Sequence, residues 1–480
     1  MNRPYLKFSI LYIFLMIILF TMASFNVFYG LNKFPIFSWD EARHGVNAFE
    51  MLKKGNFIIS TYRNKIDYWN LKPPLSFWAT IAGYKISGFN PLGLRMFSAI
   101  FAMLTIIEVS LFVNKIYGKL ATLISTVSLT TCTQFLINHS ARTGDADSLF
   151  VFFFTSAILA LLLSELNIKW LYVSGLAFSF AFLTKSWHAG NIALIMCLYL
   201  IFTGMYKELY LKNWFLLSLC MFVPILIWGG IRFQYDGIHF FKYMVTYDLL
   251  QRSSTSIEGH LGGWGYYFKI LWTFFSLWII LLFVLAALNM KNVFPLRIKI
   301  DRYLIGIILW VITPLLLFTL AETKIRWYIL PIYPALSIFI GLLAGKILRK
   351  GKLAVRFVLI LTILLISMNY EFQIQAYIQH PIPKYHLALL QTIQGNPKFK
   401  GYHLYRFGYS KNMKWPQNTV LAAELYDNLQ VEDGGYQDFL KSNKALLLVK
   451  NGQHNKRFIK LSHLKVISHN NWGYLVSKGK

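Results

Sequence analysis

Long uninterrupted apolar runs constrain this chain more than any other feature. A hydrocarbon core about 30 Å thick needs about 20 apolar residues in a helix. Eleven runs come close to this length, near residues 8–28, 94–114, 119–137, 148–165, 169–185, 189–205, 213–231, 267–289, 303–321, 327–346 and 354–370. Of the 480 residues, 56% are hydrophobic, which is a membrane composition. The sequence therefore predicts a polytopic all-α membrane domain with about eleven transmembrane helices.

Basic residues in the short loops orient these spans, because loops rich in Lys and Arg belong on the cytoplasmic side. Threading from a cytoplasmic N-terminus collects such residues inside: Arg3, Lys7, Lys115, Lys119, Lys169, Lys207, Lys212, Lys291, Arg297, Lys299, Arg302, Lys346, Arg349, Lys350 and Lys352. The same threading places segments 32–92, 138–147, 186–188, 232–266 and 322–326 outside. We therefore predict a multi-pass protein of the plasma or inner membrane, with its active site on the extracytoplasmic side.

The excess of basic residues has a related explanation. Lys and Arg number 48 against 20 Asp and Glu, which gives a net charge of +28. In a soluble protein this balance would indicate nucleic-acid binding. Here the cations fill short loops that face anionic lipid headgroups. The expected partners are therefore membrane lipids and a phosphate-bearing lipid substrate, and nucleic acid is not among them.

Residues 371–480 differ in character from the rest of the chain. Short β-like runs such as 445–449 and a helical stretch near 420–429 alternate with Gly and Asn turns. We predict a small soluble α/β domain on the extracytoplasmic side, after a transmembrane catalytic domain at 1–370. Cys132, Cys197 and Cys220 lie within apolar runs without metal spacing, so neither a disulfide nor a zinc ribbon is predicted.

The first outer loop begins with the segment 38–44, which contains Asp40, Glu41 and Arg43. Two adjacent carboxylates, an Arg and, at His44, a histidine at a membrane surface can supply a general base and a phosphate-binding cation. The alternative is structural. Asp40 would then cap a surface helix that continues through Glu50, and Glu41 would favour its positive N-terminus. The two interpretations do not exclude each other.

The same loop continues with Lys72 directly before Pro73 and Pro74. The two prolines fix an extended entry into a short apolar helix and hold Lys72 in front of it. The alternative is an interfacial aromatic belt with a lysine that extends its charged end into water.

The second outer loop places Arg142, Asp145 and Asp147 at a membrane boundary, with Gly144 between them to permit a tight turn. Asp147 alone would be explained as the cap of the next span. An Arg and two Asp together favour a functional cluster.

Further cations lie at the predicted outer ends of later spans, namely Lys185, Lys324 and Arg326. Each alone is typical of an interfacial anchor. With Arg43, Lys72 and Arg142 they could line a basic pocket for a phosphate. The loop at 232–266, which carries His260 and several glycines, is flexible enough to cover such a pocket as a lid.

Nucleotide-binding signatures do not occur in the sequence, because it contains neither a GxxxxGK[ST] motif nor a strand-linked GxGxxG. Gly341 and Gly345 lie in an apolar span, where they favour close helix packing. A nucleotide-driven reaction is therefore not indicated. An outward-facing enzyme would instead use an activated group delivered on a membrane lipid.

The order of these motifs resembles the polyprenyl-phosphate-dependent GT-C glycosyltransferases, above all the lipid A aminoarabinose transferases and the bacterial relatives of protein O-mannosyltransferases. The resemblance covers residues 1–370. The matching pieces are Asp40-Glu41-Ala42-Arg43, Lys72-Pro73-Pro74-Leu75 with Trp78, Ala141-Arg142-Thr143-Gly144-Asp145-Ala146-Asp147, Ala181-Phe182-Leu183-Thr184-Lys185, and Lys324-Ile325-Arg326-Trp327-Tyr328-Ile329-Leu330-Pro331-Ile332-Tyr333-Pro334-Ala335.

This resemblance implies inverting transfer of a hexosyl or pentosyl group from a polyprenyl-phosphate donor. The acceptor would be lipid A or another glycolipid, a polysaccharide, or a protein hydroxyl. Asp40 would be the base or would position the acceptor, with Glu41 beside it. The donor phosphate would be bound by the cations Arg43, Lys72, Arg142, Lys185, Lys324 and Arg326, and the supporting residues would be Asp145, Asp147 and His260.

One position departs from the family pattern. Some relatives place a glutamate directly before the Lys-Pro-Pro motif, where it joins the lid histidine in holding a metal, but this chain has Leu71 there. His260 is then the remaining candidate ligand of that pair. A divalent metal at His260 stays open as an alternative, but the sequence does not predict one. Two other classes stay open as alternatives, a lipid or lipid-linked-sugar flippase and a non-catalytic lipid-binding envelope protein.

Overall fold

The computed structural model describes residues 3–293, 301–381, 384–407 and 414–479, and within them the chain is mostly helical. The helices before residue 204 are α1 (Arg3–Phe28), α2 (Asp40–Lys54), α3 (Leu75–Ser87), α4 (Pro91–Tyr117), α5 (Lys119–Thr130), α6 (Thr133–Ile137), α7 (Asp147–Leu163), α8 (Lys169–Lys185) and α9 (Gly190–Thr203). Those that follow, up to residue 379, are α10 (Leu211–Asp236), α11 (His239–Val245), α12 (Arg252–Ser254), α13 (Tyr266–Val293), α14 (Arg302–Leu320), α15 (Ile332–Lys350) and α16 (Leu353–Gln379).

All eleven predicted spans are helical over most of their length, but the number of spans is not confirmed. Within the described ranges, eight helical stretches are long and apolar enough to cross a membrane, and one of these joins α8 and α9. The apolar helix α7 is shorter. The inner-side cations Arg297 and Lys299 lie outside the described residues.

Several helix ends differ from the predicted boundaries, and in two places the difference is a break or a turn. The third run is broken, because α5 ends at Thr130 and α6 starts at Thr133. The tenth run was expected from residue 327, but α15 starts at Ile332 after a 3-10 turn at Arg326–Ile329. Pro331 immediately precedes α15. Proline is tolerated there because the first N–H groups of a helix have no partner within the helix, so the missing N–H costs no hydrogen bond.

The predicted role of Gly341 and Gly345 is confirmed, because α15 packs on α5 at these glycines. A Cβ atom on Gly341 would overlap the hydroxyl of Ser125 and would lie 2.5 Å from the carbonyl oxygen of Ala121. At Gly345 a Cβ would lie 3.1 Å from the Cβ of Ala121. The two helix backbones approach closely only because neither glycine has a side chain.

The chain divides into two compact units. The first consists of the described parts of Met1–Tyr29, Leu71–Ser76 and Ser98–Gln379, and the second of those of Gly30–Asn70, Phe77–Phe97 and His380–Lys480. The domain boundary predicted at 370/371 stays a prediction. Helix α16 continues past it to Gln379, and the second unit includes much of the first outer loop.

The second unit has its own apolar core beneath a small mixed sheet. Its C-terminal elements are α17 (Tyr385–Gln391), α18 (Gln417–Asp427), α19 (Tyr436–Lys441), α20 (Gln453–Leu461), β3 (His403–Phe407), β4 (Gln430–Val431), β5 (Ala445–Lys450), β6 (Lys465–His469) and β7 (Gly473–Ser477). A short hairpin of β1 (Thr61–Tyr62) and β2 (Lys65–Ile66) precedes them in the chain.

The strand order in the sheet is β4-β3-β5-β7-β6. Strand β3 runs parallel to β4 and β5, whereas β7 is antiparallel to β5 and β6. This confirms the predicted α/β character of the C-terminal segment. Helix α2 of the first loop packs on α18, with Val46 and Leu421 among the buried side chains of the shared core.

Candidate active site

Asp40 is the first residue of α2 and is half-buried. The predicted helix through Glu50 is present and continues to Lys54, but the prediction that Asp40 caps it is wrong, because the N-cap residue is Trp39 and Asp40 already belongs to the first turn. Trp39, directly before it, is exposed and has a φ of 67°, a conformation that non-glycine residues rarely adopt. Backbone strain of this kind is concentrated at functional positions. The N-terminus of α2 also favours a carboxylate at position 40.

Glu41 has the contacts of a structural carboxylate. Its two oxygens accept hydrogen bonds of 2.6 and 2.9 Å from the guanidinium of Arg95, and one also accepts from the backbone N–H of Phe37 at 2.7 Å. Arg95 donates further to the carbonyl oxygens of Leu31, Phe34 and Pro35, and its side chain is fully buried. The catalytic role predicted for Glu41 stays a prediction, but this geometry favours support of the loop.

Arg43 is held by an acidic and aromatic cluster. It donates two hydrogen bonds to Asp67, and its guanidinium lies 4.0 Å from the ring centroid of Tyr62 and 4.7 Å from that of Trp69. Burial alone would raise the pKa of Asp67, but the hydrogen bond and charge of Arg43 outweigh it and lower that pKa. Burial raises the pKa of Tyr62 to about 12. These contacts orient Arg43 within the second unit.

Arg142 lies in the first unit and caps a helix. Its guanidinium donates to the carbonyl oxygens of Asn26, Val27 and Tyr29 at 2.8, 3.3 and 2.7 Å. These carbonyls close the C-terminal end of α1, where a cation compensates the negative end of the helix dipole. The buried side chain of Arg142 therefore ties the second outer loop to the first span.

Asp145, Asp147 and Lys185 meet at the N-terminus of α7. The ammonium of Lys185, the last residue of α8, contacts Oδ1 of Asp147. Asp145 accepts a hydrogen bond of 2.9 Å from the backbone N–H of Asp147. All three side chains are buried. The structure thus brings together three of the predicted site residues, which come from two segments that are well separated in the chain.

His139 joins this cluster, although it is not among the site residues predicted from the sequence. Its Nδ1 lies 3.2 Å from Asp145 and 3.3 Å from Asp147. The imidazole stacks on Trp327, with ring centroids 3.6 Å apart and an interplanar angle of 2°. One indication of its role is present in the sequence, because His139 lies in the same predicted outer loop as Asp145 and Asp147. Arg95, also missed, is a lone cation in the first turns of an apolar span.

A second polar network starts at the residue that follows α8. Ser186 donates to Asp248 at 2.8 Å, and Asp248 forms an ion pair of 3.0 Å with Arg252. Arg252 in turn donates to the hydroxyl of Tyr328 at 3.3 Å, and the ammonium of Lys185 lies 5.6 Å from the Tyr328 ring centroid. Carboxylates and cations therefore alternate across the ends of several helices of the first unit.

The predicted lid loop is joined to the segment that precedes α15. The backbone N–H groups of Thr323 and Lys324 donate to the carbonyls of Arg252 and His260 at 3.2 and 3.1 Å. The ammonium of Lys324 donates to the carbonyl of Ala321 at 2.6 Å. Arg326 is exposed, 5.7 Å from the ring centroid of Trp327. Lys72 lies half-buried in the same unit.

The metal position that the resemblance implies does not fit this chain. Leu71 is 3% exposed and offers no ligand atom. His260 is half-buried, and its backbone carbonyl is already hydrogen-bonded to Lys324. With Leu71 in this position, His260 lacks the carboxylate ligand that the resemblance implies. We therefore assign no chemical step to a metal at that position.

Comparison with known proteins identifies the architecture. The structure of ArnT from Cupriavidus metallidurans bound to undecaprenyl phosphate is similar with a TM-score of 0.74 at 14% identity, over 98% of each chain. This chain has the GT-C fold. The oligosaccharyltransferase of Archaeoglobus fulgidus in its apo form is more distant, with a TM-score of 0.56 at 11% identity over 89% of this chain and 65% of that one.

Sequence matches agree with this fold. The family model of dolichyl-phosphate-mannose-protein mannosyltransferases matches residues 71–228. The undecaprenyl phosphate-alpha-4-amino-4-deoxy-L-arabinose arabinosyl transferase 2 of Pseudomonas fluorescens is 24% identical over 322 residues, which are 65% of this chain and 57% of that protein. The resemblance to GT-C glycosyltransferases of the protein O-mannosyltransferase and aminoarabinose transferase type is therefore confirmed, although the chain matches little more than half of this relative.

Proposed function

We propose that this protein is an integral membrane glycosyltransferase that uses a polyprenyl-phosphate-linked sugar. The observation that carries the proposal is the buried cluster of Asp145, Asp147 and Lys185, with Arg252 and Lys324 placed at neighbouring helix ends. Buried carboxylates and cations at the ends of membrane helices are costly, and they mark functional sites. Two matches whose names specify lipid-phosphate-linked sugars support the same class, as does the fold shared with a protein bound to undecaprenyl phosphate.

The proposed reaction breaks the bond between the anomeric carbon and the phosphate oxygen of the donor. The acceptor oxygen attacks the opposite face of this carbon, so that the configuration inverts. The acceptor proton passes to a base, for which Asp40 is our candidate. The electron pair of the broken bond leaves with the polyprenyl phosphate.

The charge that develops on the leaving phosphate determines which side chains can assist the bond cleavage. The leaving phosphate gains negative charge in the transition state, and preorganised cations stabilise that charge most strongly there. The candidate cations in the first unit are Lys72, Lys185, Lys324 and Arg326. Arg43 is held by two hydrogen bonds to Asp67 and Arg142 by three backbone carbonyls, and we assign both to supporting the loops. Lys185 and Lys324 also contact protein groups, but an ammonium carries three N–H donors, so one such contact leaves it able to bind a phosphate as well.

We further propose that the reaction takes place on the extracytoplasmic side. The positive-inside distribution of Lys and Arg supports this orientation. Polyprenyl-linked sugars supply an activated donor where no cytosolic nucleotide sugar is present. The acceptor would be a glycolipid such as lipid A, a polysaccharide or a protein hydroxyl, and the transferred group a pentose or a hexose.

The test is transfer by the purified protein in liposomes, from a panel of polyprenyl-phosphate pentoses and hexoses to extracted envelope lipids and proteins, read by mass spectrometry. The wild type is expected to transfer one sugar class. Asp40→Asn should abolish transfer and leave the melting temperature unchanged, whereas Asp438→Asn on the exposed face of α19 should be fully active. A fully active Asp40→Asn variant would remove Asp40 from the mechanism. Lipid movement between leaflets without sugar transfer would establish the flippase alternative instead.

A further inference from the structure

Three metal-ligating side chains converge beside α7. The Nδ1 atom of His139 and one oxygen each of Asp145 and Asp147 all lie within 4.8 Å of one another. The carboxylate side chains are 1% and 5% exposed, and the imidazole is 15% exposed. The cluster is thus largely withdrawn from solvent, and its most accessible member is the histidine. The predicted lid residue His260 is not part of it.

In Asp145 and in Asp147, the two carboxylate oxygens have different partners, and the arrangement is the same in both residues. Oδ1 of Asp145 accepts the backbone N–H of Asp147, and Oδ1 of Asp147 contacts the ammonium of Lys185. In each case the other oxygen, Oδ2, is the one that faces His139. Each carboxylate is therefore bound at Oδ1 and turns Oδ2 toward the same imidazole nitrogen. Outer contacts of this kind orient the ligands of metal sites.

The two distances from the imidazole nitrogen also match those between neighbouring ligands of a metal ion. Imidazole nitrogen and carboxylate oxygen bind zinc at about 2.0–2.2 Å in tetrahedral geometry, which places neighbouring ligand atoms about 3.3–3.5 Å apart. The observed Nδ1 to Oδ2 distances are 3.2 and 3.3 Å. A single N–H proton can be directed well at only one of the two carboxylates at a time. A cation between the three atoms interacts with all of them.

The imidazole is held in the required orientation. His139 has a φ of 67°, in the left-handed region that non-glycine residues seldom occupy. Its ring lies flat against Trp327, at a centroid distance of 3.6 Å. The backbone and the stack together fix the direction of Nδ1. This strain and packing would be hard to explain for a histidine that only fills space.

We propose that His139, Asp145 and Asp147 form a binding site for a divalent first-row transition metal, with Zn²⁺ as the best match to one imidazole and two carboxylates. Two carboxylates and the ammonium of Lys185 carry a net charge of −1 with a neutral imidazole. A divalent cation changes this to +1, which complements a phosphate. This last consequence rests on the proposed function, whereas metal binding does not.

The test measures metal binding directly. The full-length protein in detergent is stripped with chelator and titrated calorimetrically with Zn²⁺ alone and with Mn²⁺ alone. Binding of Co²⁺ is followed by its visible absorption. The wild type should bind one equivalent of Zn²⁺. His139→Asn and Asp145→Asn should each weaken binding at least about tenfold, because each removes a ligand. The matched control His260→Asn should bind like the wild type.

Thermal unfolding separates lost binding from lost folding. Zn²⁺ should raise the melting temperature of the wild type and of His260→Asn, but not of Asp145→Asn, which keeps the shape of the side chain. Absence of stoichiometric binding by the wild type, or unchanged binding by both ligand variants, would overturn the site. Stoichiometric, His139-dependent binding by a protein that transfers no sugar would refute the proposed function and leave the metal site standing.

Discussion

Replacing Arg95 should unfold the second unit at a much lower temperature, because Arg95 neutralises a buried carboxylate. The Arg95 and Glu41 side chains are 0% and 1% exposed and are joined by hydrogen bonds of 2.6 and 2.9 Å. Arg95→Met leaves the Glu41 charge buried and also removes the donor from three backbone carbonyls. Breaking one partner of such a pair costs about 3–5 kcal/mol. For a folding unit of this size that is a fall of about 6–20 °C in melting temperature.

The assay is thermal unfolding in detergent, followed by the loss of the monodisperse peak in size-exclusion chromatography. Lys441→Met is the matched control, because Lys441 is 79% exposed and lies 3.8 Å from Asp438, which is itself 53% exposed. A surface pair of this kind contributes about 0–1 kcal/mol. The double variant Arg95→Met with Glu41→Leu should be more stable than Arg95→Met alone, since no charge is then left buried without its partner.

Two results would refute this reasoning. The first is a melting temperature for Arg95→Met equal to that of Lys441→Met, which would mean that the pair contributes little. The second concerns Glu41 itself. If Glu41→Gln abolished transfer while the melting temperature stayed unchanged, Glu41 would be a catalytic group and its contacts with Arg95 would not be its main role.

Further predictions concern helix packing and pH. Gly341→Ala should destabilise the first unit by about 1–3 kcal/mol, because the added Cβ clashes with α5. Gly230→Ala should not destabilise it, because open space surrounds that glycine. Equal melting temperatures of the two variants would contradict the proposed packing of α15 on α5. Burial, and then the neighbouring Glu50 carboxyl, raise the pKa of Glu424 well above its usual value. Its contribution to stability is therefore full below the unfolded pKa of about 4.3 and is lost as pH rises through the folded pKa. As pH rises, the melting temperature of Glu424→Gln should fall less steeply than that of the wild type. Identical slopes would show that Glu424 does not cause the pH dependence of stability.

The membrane class and the helical segments could be predicted because apolar length is a local property of the sequence. Each of the eleven predicted runs is helical over most of its length, and their ends move by a few residues where proline or a turn intervenes, as at Pro331. The helices of the first outer loop were predicted from Asp40 and from the proline pair before Leu75. Those signals also lie within a few residues of the element they define.

The contacts between distant segments could not be predicted in this way. That α2 would pack on α18 depends on apolar faces separated by nearly the whole chain. That Arg142 would donate to the end of α1, rather than to a ligand, depends on where three carbonyls lie in space. Residue type shows that a side chain is charged, but not which charge or carbonyl lies beside it.

The sequence by itself determined that this protein crosses the membrane and carries its polar motifs in the order of GT-C glycosyltransferases, because hydrophobic length and motif order are properties of the linear chain. Only the tertiary structure decided which charged residues pair with each other and which gather in one cluster. It paired Glu41 with Arg95 and Arg43 with Asp67, and it gathered His139, Asp145, Asp147 and Lys185 at one point. The physical reason is that the interaction of buried charges depends on distance in space, and α7 and α8 bring those side chains together only when they pack.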